Sequence, residues 1–190
     1  MEQIMREKNL PLYALETYTP LSEFDMVGFT LQYEMSFTNI LNMLDLGRIP
    51  LLCKDRTEGM PFVIAGGPCA CNPEPLADFI AFFVIGEGEE VILEIVDEYI
   101  SWKDAGENRT EFLKRVASIE GVYVPSFYDV FYYDDGTVMD VIPKIQDVPD
   151  DIKRRLIKDL DSVDFPDDII VPYIVVFFYI GHCKLMSFWH

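Results

Sequence analysis

The sequence predicts an α/β fold built on a parallel sheet. Three apolar runs without polar alternation, at residues 25–30, 62–65 and 82–85, have the make-up of strands buried on both faces. Helical spacing fills the intervals between them. The second and third runs stop at glycine, in Gly66-Gly67-Pro68 and Gly86-Glu87-Gly88.

Taken in order, Met1 to Lys8 is charged and helix-like, without the apolar centre of a secretory signal. The first strand follows a Pro20-Leu-Ser-Glu stretch. Phe37, Ile40, Leu41 and Leu44 then fall on one face of a helix that closes near Gly47. Beyond the second strand, Asn72-Pro-Glu-Pro75 suits a brief helix capped by Asn72. Beyond the third, a long helix aligns Val91, Ile92, Ile95, Val96, Tyr99 and Ile100 in one stripe, opposite Glu90, Glu94, Asp97 and Glu98. Right-handed crossovers bring the strand C-termini to one edge, which gathers Thr30 to Tyr33 and both glycine loops. Ligands of open α/β sheets bind at such an edge.

After Gly106 the character changes. A helix carrying Phe112, Leu113, Val116 and Ile119 leads to Gly121-Val-Tyr-Val-Pro125. Two β-rich segments follow, Phe127 to Tyr133 and Thr137 to Ile142, joined by the hairpin turn Asp134-Asp135-Gly136. Their aromatics, Phe127, Tyr128, Phe131, Tyr132 and Tyr133, are read as hairpin packing rather than a stacking platform. Pro143 to Pro166 is acidic and punctuated by proline, a linker with one short helix. That helix has Ile152, Leu156 and Leu160 spaced among Lys153, Arg154, Arg155 and Lys158, a solvated basic face.

With 190 residues the chain holds one domain and a tail, and 15 Lys+Arg against 33 Asp+Glu give a net charge of −18. Such a surface repels phosphate backbones and anionic lipid, so no nucleic-acid or membrane partner is expected. The most apolar stretch, Ile169 to Ile180, is too short to span a bilayer and contains Pro172. The four cysteines follow no disulfide framework, which points to a reducing, cytoplasmic setting.

The two glycine loops are the candidate binding residues: Gly66, Gly67, Pro68, Gly86, Glu87 and Gly88. Glycine lets a backbone approach a ligand closely. Glu87, Glu89 and Glu90 already place negative charge at a helix N-terminus, so a bare phosphate is repelled and a ribose- or amide-bearing ligand suits the loop better. No nucleophile or histidine accompanies these glutamates, so no catalytic residue is assigned. Cys69-x-Cys71 with His182-Cys183 fits no common zinc spacing, and no metal ligand is assigned either.

At these residues the chain resembles the cobalamin-binding domain of B12-dependent radical SAM proteins. The resemblance rests on Gly66-Gly67-Pro68 and Val84-Ile85-Gly86-Glu87-Gly88-Glu89. It extends to Gly28-Phe-Thr-Leu-Gln-Tyr-Glu34, Asn39 to Leu44, Ala65 to Ala70, Asn72 to Asp78, Gly121 to Ser126, Asp159 to Ser162 and Val171 to Ile174. It implies a partial flavodoxin-like, Rossmann-like sheet of the B12-binding type, with a C-terminal β-hairpin and linker. It implies cobalamin as ligand, its nucleotide tail at the two glycine loops. In the intact family a following barrel carries Cys-x3-Cys-x2-Cys, whose thiolates hold a [4Fe-4S] cluster that binds S-adenosylmethionine.

This chain departs from that pattern twice. Two β-α units that the family places first are not in it, and neither His182 nor His190 matches a cobalt-ligating position. The three-cysteine motif does not follow Ile174. The expected organisation is a partial B12-binding-like α/β domain over 1–106, a helix, hairpin and linker over 107–174, and an atypical tail, with the look of a frameshift, over 175–190. The expectation is therefore a fragment, its partner the missing radical SAM domain, inactive alone and poorly soluble along an unpaired first strand. The alternatives are a stand-alone nucleotide- or small-ligand-binding module and a non-functional truncation product.

Overall fold

A computed structural model describes residues 1–146, 148–159, 161 and 163. Strands β1 (Met26–Thr30), β2 (Phe62–Gly66) and β3 (Phe82–Val84) lie side by side in that order, all parallel. Thr30 pairs with Gly66, and Gly66 with Val84, so the three C-termini are level. The mixed α/β sheet read from the three apolar runs is what forms. It has one further member: β4 (Val122–Tyr123) runs antiparallel beside β3, pairing Tyr123 with Phe83. Two residues are too few to carry a period, so the sequence reading counts only three strands. Among the described residues β1 pairs with β2 alone.

Helices α1 (Glu2–Glu7), α2 (Phe37–Leu46), α3 (Val91–Ala105) and α4 (Arg109–Ala117) complete the layers. On the sheet face that carries Phe62 and Phe82, the core is an aromatic cluster supplied by α3 and α4. The Phe62 ring lies 4.6 Å from Phe112, 5.7 Å from Trp102 and 6.4 Å from Tyr99. Phe62, Phe82 and Phe112 are sealed from water, and rings of this size contribute the largest single burials of such a core. The turn between the two helices is fixed by polar contacts. Gly106 takes the left-handed conformation that ends α3, and the Asn108 side chain accepts the Glu111 N–H at the start of α4.

The stripe expected along α3 divides. Val91 and Ile95 are buried, but Ile92 (40% exposed), Val96 (41%) and Ile100 (53%) face outward. The helix meets its neighbours along Val91, Ile95, Tyr99 and Trp102, a narrower line than the apolar stripe in the sequence. Asn72 caps no helix. Two short 3-10 turns, Pro68–Cys71 and Glu74–Leu76, flank it, and Pro73 and Pro75 keep the second from lengthening.

The hairpin forms where the sequence places it, as β5 (Tyr128–Tyr132) and β6 (Val138–Pro143), antiparallel, with a register shift between Phe131 and Tyr132. Phe127 and Tyr128 are buried, whereas Phe131, Tyr132 and Tyr133 stand about half exposed. Packing accounts for only the first two aromatics. The short helix expected around residues 152–160 does not form over its described part. Residues 152–157 run extended, and Arg155 makes a parallel bridge to Gly86. No helix among the described residues is long and apolar enough to cross a membrane.

Candidate functional site

The six residues marked in the sequence do come together. Gly66, Gly67 and Pro68 leave β2, and Gly86, Glu87 and Gly88 follow β3, at the same pole of adjacent parallel strands. What surrounds them is largely the chain itself. Gly67 has φ +101°, and a Cβ there would stand 3.1 Å from both the N and the O of Leu31. The cause is a tight crossing: Leu31 N–H donates to Gly66 O at 2.7 Å, and Cys69 N–H donates to Leu31 O at 3.0 Å. Pro68 opens the 3-10 turn that follows. Beside it the Cys69 thiol is pushed above its usual range by desolvation first and then by the Glu34 carboxylate.

Gly86 is more tightly enclosed. Its φ is +116°, and a Cβ would fall 2.2 Å from Arg155 O and 2.7 Å from Arg155 N. Arg155 N–H donates to Ile85 O at 2.9 Å, and Glu87 N–H donates to Arg155 O at 3.1 Å, so residue 155 extends the sheet beyond β4. The Glu87 carboxylate accepts the Ile157 N–H. The Arg155 guanidinium, 16% exposed, pairs with Glu90 at 3.1 Å and Glu94 at 2.5 Å, and these two carboxylates raise its pKa. The acidic helix start read as dipole compensation is thus also a socket for one arginine. The basic cluster was complementary to Glu87–Glu94 in sign, and that was the one sequence signal for the contact. Gly88 differs from its neighbours, with nothing within 4 Å of a Cβ built on it.

The opposite pole, at the N-terminal ends of β2 and β3, carries no residue singled out by sequence. It holds a cavity of about 800 Å³ lined by Cys53, Arg56, Phe62, Ala81, Arg109 and Leu113, among others. Burial pushes the Cys53 thiol up, and the nearby Arg56 and Arg109 partly offset that. Arg56, at 5% exposure, is the one buried polar or charged residue among the described residues. No local motif announces this place, because its lining comes from segments far apart in sequence.

A sequence profile of the family described as radical SAM proteins, N-terminal, matches residues 1–125. The chain belongs to this family. It is also 33% identical over 97 residues to an uncharacterized protein of Methanocaldococcus jannaschii, an alignment covering 48% of this chain and 20% of that one. The chain therefore spans about a fifth of the length of the curated relative it matches. No solved structure matches it.

Against the chemistry of that family, the radical SAM N-terminal chain divides its thiols between the two poles. Cys53 lines the cavity, while Cys69 and Cys71 lie in the turn after β2. Among the described residues no three His, Cys, Asp or Glu side chains gather as a metal site, so these residues do not fit an iron-sulfur cluster. His182, Cys183 and His190 lie outside the described residues. Nor does the Gly86 niche fit a corrinoid tail in this conformation, since Arg155 backbone atoms fill it. No chemical step is assigned through either group.

Proposed function

We propose that this radical SAM N-terminal chain is the cobalamin-type binding module of a cytoplasmic radical SAM enzyme, working with a catalytic domain that carries the [4Fe-4S] cluster and S-adenosylmethionine. The single observation that supports a binding role is the pairing of Gly66-Gly67-Pro68 with Gly86-Glu87-Gly88 on level, adjacent parallel strands. The identity of the ligand, cobalamin, rests on the resemblance of those loops alone. Gly88, with open space where a Cβ would stand, and the Glu87 carboxylate, once released by the Ile157 N–H, are the groups that a nucleotide tail would meet first. For the tail to reach Gly86, residues 153–157 must withdraw, and the Arg155 pairs with Glu90 and Glu94 hold them in place.

The test is an absorbance titration of the full chain with hydroxocobalamin, beside its Arg155→Ala variant. Removing the two ion pairs loosens the strap, so the variant is expected to bind roughly five- to thirty-fold more tightly than the unaltered chain. If neither protein binds, cobalamin drops out of the reading and only a radical-SAM-associated module is left. Binding that Arg155→Ala leaves unchanged would put the ligand elsewhere on the molecule.

A further inference from the structure

The cavity at the N-terminal pole is lined by a buried charge that forms no ion pair among the described residues. Arg56 donates from Nε to Pro50 O at 2.8 Å and from Nη2 to Leu51 O at 2.7 Å. Its Nη1 is buried with no hydrogen-bond partner, the one side-chain atom in that state among the described residues. Arg109 lines the same cavity, 3.8 Å above the Phe62 ring, and donates to Met60 O at 2.5 Å and Pro61 O at 3.4 Å. Neither guanidinium forms an ion pair among the described residues.

Carbonyl oxygens satisfy N–H groups without cancelling a formal charge. Buried charges are ordinarily paired, because an unpaired one bears the full cost of leaving water. In a chain with 33 acidic residues, leaving both guanidinia without an ion pair is a departure that asks for an anion from outside. Glu58 attracts Arg109 only from beyond ion-pair distance, and Asp78 lies elsewhere on the lining. The remaining features agree. Lys54 adds positive charge to the lining, whereas Lys144 is paired with Asp129 at 3.1 Å. The N-terminus of α4 opens here, and already attracts one carboxylate, since Arg109 N–H donates to Glu58 at 3.1 Å. A second lining carboxylate, Glu74, is taken by the Tyr123 hydroxyl at 2.6 Å. Phe62, Ile80 and Leu113 supply apolar wall, and about 800 Å³ is the size of a site for a small organic molecule.

We propose that this cavity binds an organic anion, an apolar or aromatic body bearing one phosphate or carboxylate, with the Arg109 guanidinium receiving the oxyanion and Arg56 Nη1, sealed from a water-sized group in this structure, turning to join it. The site is separate from the glycine loops, at the other end of the same strands. It stands whether or not cobalamin binds.

Cys53 gives a local readout. The full chain is alkylated in the presence of phenyl phosphate, benzoate or inorganic phosphate, and each cysteine is followed by peptide mass spectrometry. Occupancy at ten times Kd should slow alkylation of Cys53 roughly ten-fold and saturably. Cys69 and Cys71, at the far pole, should keep their rates. Phenyl phosphate ahead of benzoate identifies a phosphate ligand, and the reverse order a carboxylate; either supports the site. Arg56→Met should weaken protection roughly ten-fold or more, the worth of a charge-assisted bond. Because Arg56 also holds two backbone carbonyls, the variant Lys54→Gln provides a second reading that leaves that clamp and the Lys144–Asp129 pair intact. It should raise the protecting concentration several-fold. The proposal is overturned by no protection at about 10 mM of any probe, a Kd weaker than an ordinary site. Equal slowing of all three cysteines overturns it too, as does rim-variant affinity equal to that of the unaltered chain. Inorganic phosphate binding as tightly as phenyl phosphate would remove the organic body from the proposal.

Discussion

At the C-terminal pole of the sheet three positive-φ glycines, Gly67, Gly86 and Gly121, are pressed against the chain itself. At the N-terminal pole two arginines border an open cavity, and their guanidinium groups hydrogen-bond only to carbonyls. The first pole has the local sequence signature of a binding edge and little free room. The second has room and unbalanced charge but no signature. The contrast teaches what each kind of signal reports. A glycine marks close approach by something, and a neighbouring segment produces that mark as well as a ligand does. A lone arginine in an acidic chain marks nothing until burial shows that its charge is unmatched.

The comparison can be broken first at the cavity's foundation. Phe112→Ala removes a sealed ring from between Phe62 and Phe82 and should cost about 3–5 kcal/mol, read as a lowered urea midpoint. Gly86→Ala comes next. Its methyl cannot coexist with Arg155 O and N, so residues 153–157 must leave, at roughly 2–4 kcal/mol and with much faster tryptic cleavage at Arg154 and Arg155. Stability and cleavage that match the unaltered chain would refute the account of the strap. Gly67→Ala meets Leu31 at 3.1 Å and a positive φ, for an expected cost of about 1–2 kcal/mol.

A smaller effect lies at the start of β1. Asp25 accepts from the Tyr99 hydroxyl at 2.6 Å and from Lys103 at 2.9 Å, and these hold its carboxyl below the usual range. A depressed carboxylate stabilises the fold above its unfolded pKa of about 3.9, and that contribution fades as pH falls through the lower folded value. The pair is largely solvent-exposed, so Asp25→Asn should cost under about 1 kcal/mol at neutral pH and nothing in strong acid. The smallest effect sharpens the comparison most. Gly88→Ala, in the same loop as Gly86 but facing open space, should change stability by no more than about 0.5 kcal/mol.

Much of the architecture was legible because it is written locally. The runs at 25–30, 62–65 and 82–85 form the parallel strands, and Phe112, Val116 and their neighbours form the second helix over the sheet. The hairpin turn at Asp134-Asp135-Gly136 sits where its chemistry requires. What sequence could not give depends on distant partners. Ile152 and Leu156 have helical spacing, yet two ion pairs of Arg155, two backbone hydrogen bonds to Ile85 and Glu87, and the Ile157 N–H bond to the Glu87 carboxylate hold that stretch out of a helix. Ile92, Val96 and Ile100 read as core because a period says which residues share a face, not how much of the face is covered. The cavity was invisible for the same reason, being assembled from side chains near residues 53, 62, 78, 109 and 126.

The bridge between Gly86 and Arg155 also orders events in time. A ribosome delivers residue 155 sixty-nine positions after residue 86 (155 − 86), a delay of roughly 3–14 s at ordinary rates of synthesis. Through that interval the emerging polypeptide has its parallel strands but not the segment that seals Gly86, and Glu90 and Glu94 await their cation. The nascent chain thus passes through a stage in which the glycine edge is open, and a molecule bound at Gly86 during synthesis would have to leave before Arg155 could dock.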